Sequence, residues 1–142
     1  MSQSLAKLLT HLVYSTKHRE PLIDDGIRDE LDRYTATILK DMDSPAILIN
    51  SVEDHIHILF SLSKNHALKD VIEKVKKETS KWIKRRDPTL SGFYWQSGYG
   101  AFSVSQSNVK SVTKYIAGQR EHHRKVTFQD EFRAFLKRYE IQ

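Results

Sequence analysis

The stretch AILINSVEDHIHILFSL, residues 46–62, decides the fold. Residues 46–52 and 55–62 are rich in aliphatic and β-branched side chains, and only Glu53 and Asp54 separate them. Two strands joined so briefly pair as an antiparallel hairpin. In the second strand, alternation puts Ile56, Ile58, Phe60 and Leu62 on one face, a continuous apolar surface for helices to cover. His55 and His57 fall on the opposite, open face. Two imidazoles at i, i+2 can converge on one cation, with Glu53 or Asp54 as a neighbour or outer partner.

Upstream of the hairpin, residues 8–16 (LLTHLVYST) read as a first strand and residues 17–21 as a polar turn. Asp24 and Asp25 offer a cap and a favourable first-turn charge. Ile27, Leu31, Tyr34, Ile38 and Leu39 then recur at helical spacing, until Asp43, Ser44 and Pro45 end the helix. Downstream, Leu68, Val71, Ile72, Val75, Thr79, Trp82 and Ile83 form the apolar stripe of a helix over about residues 67–86. Asp87 and Pro88 stop it. Residues 93–104 (FYWQSGYGAFSV) read as a loop leading into a fourth strand near residues 100–104. Ser107 or Asn108 caps a third helix through about His122. Thr127 with Asp130 starts a last short helix carrying Phe128, Phe132, Phe135, Leu136 and Tyr139. The order strand, helix, strand, strand, helix, strand predicts an α+β, ferredoxin-like (split βαβ) antiparallel sheet with two helices on one face and an appended tyrosine-bearing helix. At 142 residues, a single domain over 1–142 is expected.

Composition narrows the chemistry. The absence of cysteine excludes a disulfide scaffold, a thiolate zinc site and a cysteine nucleophile. No apolar run approaches the roughly 18 residues of a membrane span, and residues 1–10 lack a secretory apolar stretch, so a cytoplasmic protein without a membrane partner is expected. The net charge of +5 and pI near 9.4 favour a polyanionic partner such as a phosphate backbone.

A second set of residues lies on the third helix. Val109, Val112 and Ile116 share its packing stripe, while Tyr115 and Gln119, at i and i+4, sit one above the other on a neighbouring face. His122 or His123 continues that row. Gly118, costing about 1 kcal/mol against alanine in a helix interior, marks close backbone approach or a point of movement. A zinc hydrolase needs a third strong ligand beside His55 and His57. His11, His122 and His123 are the candidates, without an H-E-x-x-H motif to support them. Two histidines plus a weak ligand better suit magnesium or manganese completed by substrate phosphate oxygens.

Four ordered segments carry a family resemblance: LVYSTKHR at residues 12–19, EDHIHILFSL at 53–62, WQSGYGAFSVS at 95–105 and VTKYIAGQREHH at 112–123. In these the chain resembles the HUH-type one-tyrosine transposases of small bacterial insertion sequences, the IS200-like group. The resemblance implies a ferredoxin-like homodimer whose tyrosine helix docks across to the partner. It implies Mg2+ or Mn2+ held by His55, His57 and Gln119, with Tyr115 as the nucleophile on single-stranded DNA, including hairpins at element ends. A phenol with a pKa near 10 needs such help at neutral pH. The expected chemistry is a 5′-phosphotyrosine, a free 3′-hydroxyl and rejoining by reverse attack.

For DNA contacts, Lys64, Arg120, Arg124 and Lys125 are expected near the site, while the lysine-rich face of the second helix reads equally as a solvated surface. Tyr94, Trp95, Tyr99 and Phe102 are either stacking platforms for unpaired bases or core and turn residues. Two other readings stand beside the transposase. One is a relaxase or replication-initiator nickase, which usually needs a longer chain. The other is a non-catalytic nucleic-acid-binding module, whose K/R-G-F-x-F strand is absent.

Overall fold

A computed structural model describes residues 4–138. Tyr139 and the side chain of Phe135, both assigned to the last helix on sequence, lie outside the described part. Strands β1 (Leu8–Ser15), β2 (Ala46–Ser51), β3 (His55–Leu62) and β4 (Gly100–Ser103) form one sheet in the order β2-β3-β1-β4. Every neighbouring pair is antiparallel. With α1 (Asp25–Asp41) after β1 and α2 (Leu68–Arg86) after β3, this is the expected split βαβ arrangement.

Local chemistry explains the boundaries. The Asp24 carboxylate accepts from the Gly26 N–H and caps α1. Asp43 turns the chain out of α1 with a left-handed φ of 52°. Asp87 accepts from the Thr89 N–H just beyond α2.

Alternation along the strands divides the molecule. The even positions of β1 and β3, Leu12, Tyr14, Ile56, Ile58 and Phe60, pack with Ile27, Leu31, Leu39, Val71, Val75 and Ile83 of the two helices. Complete burial of such an aliphatic side chain stabilises the fold by roughly 1.5–3 kcal/mol. Tyr34 of α1 stacks on Trp82 of α2, with ring centroids 5.7 Å apart. Trp95 belongs to this core, its ring met edge-on by Tyr14 and Phe93.

The second sheet face is not open, contrary to the sequence expectation. The tyrosine helix α3 (Val109–Ala117), a short α4 (Gln119–His123) and α5 (Phe128–Arg138) cover it. Leu9, Leu59, Val104 and Ile116 form one small apolar cluster there, and Val13, Phe102 and Phe128 another. Alternation reported which side chains share this face; it could not report that later helices return to cover it. Asn50 of β2 donates to the Ile116 carbonyl at 2.9 Å and pins the end of α3. Gly100 of β4 lets α5 come close, since a Cβ there would stand 2.7 Å from the Phe132 ring. The expected continuous third helix divides at Gly118 into α3 and α4.

Buried Trp95 donates its indole N–H to Thr79 Oγ1 at 3.0 Å. Thr79→Val keeps the shape and strands that donor, so we expect a loss of about 1–3 kcal/mol. Urea unfolding should show a lower midpoint at an unchanged m-value; an unshifted midpoint would remove the bond from the stability of the core.

Candidate active site

His55 and His57 begin β3, and both are fully buried beneath the helices of the second face. His55 Nδ1 lies 2.7 Å from Asp54 Oδ1, and donation of its N–H there leaves the Nε2 lone pair facing inward. That Nε2 is 3.3 Å from Gln119 Oε1, a second lone-pair donor to the same small volume. Of the two acids the sequence offers as neighbours, Asp54 is the one that meets His55 Nδ1. His123 Nε2, at 3.3 Å from Asp54 and 3.2 Å from Glu53, shares these carboxylates from outside the centre.

His57 has partners at both nitrogens. Its Nδ1 lies 2.9 Å from Nε2 of His11 on β1, and its Nε2 lies 2.6 Å from Glu131 Oε1 on α5. Burial pushes His11 down to about 3, with His57 adding to the effect, and burial also lowers His57 against the opposing pull of Glu131. Burial would raise the Glu131 carboxyl, but the hydrogen bonds from His57 and Tyr115 and the neighbouring imidazoles bring it down to about 2. A consistent state is a carboxylate accepting from a neutral His57, which in turn accepts from a neutral His11.

Tyr115 lies over this group. Its ring is 5.6 Å from that of His57, 6.2 Å from His11 and 5.5 Å from His122. Burial first, then the hydrogen bond and charge of Glu131, raise the phenol well above its ordinary value, while the hydrogen bond with Gln119 opposes them. A cleft lined by His11, Asn108, Ser111, Tyr115 and Arg138 opens beside the phenol.

The structure therefore brings Tyr115, His55, His57 and Gln119 together, although they come from α3, β3 and α4. All four meet within one chain. The donor set suits a divalent ion: ligand atoms of His55, His57 and Glu131 lie within 4.8 Å of one another, all buried, with Gln119 Oε1 adjoining. His11, a sequence candidate for a third ligand, instead backs His57 through Nδ1.

Glu131 escaped the sequence reading. Its signal was available: it follows Phe128 by three positions and precedes Phe132, so it lies on the face of α5 that those aromatics bury. An acid in an apolar helical stripe calls for a partner.

The proposed DNA contacts fare unevenly. Trp95 is 8% exposed with its N–H engaged, and Phe102 is buried, so neither is a surface platform here. Lys64 follows the far end of β3, opposite His55, where it donates to the Ser4 carbonyl. It is not near the site. The Arg120 guanidinium is held by Asp29 at 3.1 Å and by the Ser51 carbonyl. Arg124 pairs with Glu121 on the surface, and Lys125 is exposed. Tyr99 is 40% exposed with the Lys76 ammonium 5.6 Å from its ring centre, and Tyr94 lies between Lys17 and Lys84.

Comparison with known proteins bears on this arrangement. The ISDra2 transposase TnpA of Deinococcus radiodurans is 23% identical over 116 residues, which span 78% of this chain and 83% of that protein. A crystal structure of a Deinococcus radiodurans R1 protein described as a transposase superposes with a TM-score of 0.68 at 22% identity, covering 84% of this chain and 98% of the other. A REP-associated tyrosine transposase, solved bound to a REP hairpin, gives a TM-score of 0.63 at 13% identity, covering 89% of this chain and 76% of that one. A family model described as "Transposase IS200 like" matches residues 4–119, which end at Gln119 and leave α5 beyond the match. The chain is thus a member of the IS200-like transposase family.

Proposed function

We propose that this transposase cuts and rejoins single-stranded DNA through Tyr115, with Mg2+ or Mn2+ bound by His55, His57 and Gln119. The observation that carries the reading is the convergence of this phenol, the two imidazoles and the amide oxygen in one buried centre. A divalent ion held there by His55, His57 and Gln119 would supply Lewis-acid polarisation of the scissile phosphate. Asp54 and His11 orient the two imidazoles by hydrogen bonds to Nδ1. The Tyr115 oxygen forms a bond to phosphorus as the bond to the 3′ oxygen breaks. The phenol gives up a proton and the departing 3′ oxygen gains one, so no water is consumed. A 5′-phosphotyrosine results, and attack by a 3′-hydroxyl reverses the step.

Because His55 and His57 are fully buried, a phosphate reaches them only after the cover formed by α4 and α5 shifts. The helical run is interrupted at Gly118, between α3 and α4. The functional unit in this reading is a homodimer in the cytoplasm, with α3 able to serve its own site or to exchange with that of its partner. Its substrates are hairpins of single-stranded DNA at element ends, a reading supported by the hairpin carried by the REP-associated neighbour. Arg138 at the cleft, together with Arg124 and Lys125, supplies cationic side chains for the backbone.

Two outcomes are expected. Tyr115→Phe should abolish the covalent protein–DNA adduct while single-strand affinity stays within a few-fold of the parent, as read by denaturing gel and by filter binding. Adduct formation by that variant would remove Tyr115 from the chemistry. His57→Ala should lower Mn2+-dependent cleavage by at least a hundredfold, corresponding to about 2.7 kcal/mol in the barrier. If the parent cleaves equally well in EDTA, the ion has no part in the reaction.

A further inference from the structure

The carboxylate of Glu131 is 3% exposed, yet its ion-pair contacts among the described residues are all to imidazoles. Oε1 lies 2.6 Å from His57 Nε2, while Oε2 lies 3.9 Å from His55 Nε2 and 3.6 Å from His122 Nε2. A carboxylate withdrawn from water is costly unless a positive charge compensates it. Lysine or arginine is the usual partner in such a position. Here the neighbours are imidazoles, which, once the nitrogen facing the centre has lost its proton, are the natural companions of a carboxylate around a metal ion.

The placement of Glu131 is built into the fold. Thr127 Oγ1 accepts from the Asp130 N–H and starts α5. Phe128 packs its ring 4.7 Å from that of His55, and Phe132 packs against Gly100, where any side chain would collide with it. These contacts, three residues before Glu131 and one after it, hold its side chain over the two histidines. Glu131 and the rest of α5 lie beyond residue 119, outside the stretch that matches the family model, whereas His55 and Gly100, which they meet, lie inside it.

We propose that Glu131 is a ligand of the divalent ion, making the centre a two-histidine, one-carboxylate site with Gln119 as a further donor. The inference rests on the reading of His55 and His57 as metal ligands. Geometry supports it: the ligand atoms of His55, His57 and Glu131 fall within 4.8 Å of one another, near enough for one ion to touch all three. The carboxylate adds the negative charge that two imidazoles and an amide lack, and so strengthens the hold on a hard or borderline divalent cation. Tyr115, its ring centre 5.6 Å from that of His57, stands beside the same centre.

The test is Mn2+ binding to the full chain without DNA, followed by calorimetry and by the electron paramagnetic resonance of free Mn2+. Parent, Glu131→Gln, Glu131→Asp and His57→Ala proteins are compared, with circular dichroism as the check on folding. Glu131→Gln should weaken Mn2+ by at least tenfold. Glu131→Asp, which keeps the charge on a shorter stem, should fall between that variant and the parent. His57→Ala should weaken binding at least as much as Glu131→Gln. If Glu131→Gln binds within twofold of the parent, or more tightly, while His57→Ala loses the ion, the carboxylate merely covers a centre built by others and the inference fails alone. If His57→Ala also binds as the parent does, the histidine centre itself is wrong and the inference falls with it. Should Glu131→Gln not fold, parent-like affinity in Glu131→Asp overturns the inference and a weakened one supports it.

Discussion

His57 lies on a sheet face closed to water, so each of its ring nitrogens has to find a partner inside the protein. One partner is His11 on the neighbouring strand, and the other is Glu131 on the last helix. Those two contacts tie strands made early in the chain to a helix made at its end. Leaving either nitrogen unmatched would cost on the order of 1–3 kcal/mol. The packing of α3, α4 and α5 is therefore constrained by polar pairing as much as by the apolar clusters around Ile116 and Phe128.

The same pairing creates a tension in the chemistry. Burial and the negative charge of Glu131 favour the protonated Tyr115 phenol, whereas the proposed attack on phosphorus requires it to lose its proton. Within the closed arrangement, burial of the imidazoles also denies them to a substrate phosphate. A positive charge brought between Glu131 and the histidines would relieve the first condition, because it would neutralise the carboxylate and compensate the phenolate. The second is relieved only by movement of the covering helices. Stability and reactivity thus meet in one cluster, and Gly100 on β4 sets how closely α5, which bears Glu131, approaches the sheet.

The residues expected to contact nucleic acid were the least legible from sequence. Lysine, arginine and aromatic residues mark a candidate surface only if they remain on it, and local sequence does not report this. Trp95 follows exposed Tyr94 but turns into the core, where Thr79 accepts its N–H. Arg120 follows Gln119 directly, yet acids on α1 draw its side chain away from the centre. Lys76 illustrates the converse: it lies on the supposedly solvated face of α2, but its ammonium donates to the carbonyls of Gln96 and Gly98 and is lowered by burial to about 8.

Periodicity in the sequence determined the strands, the two core helices, the split βαβ order and the shared face of His55 and His57, because each of these follows from side-chain spacing within one element. The motifs around Tyr115 and Gln119 carry the family resemblance in the sequence itself. Tertiary structure alone decided that the histidine face is covered, that His11 and Glu131 flank His57, and that Trp95 is interior. Those outcomes depend on where the chain after β4 returns to the sheet. That return is set by contacts between residues far apart in sequence, such as Asn50 with Ile116 and Gly100 with Phe132, for which no local spacing carries a signal.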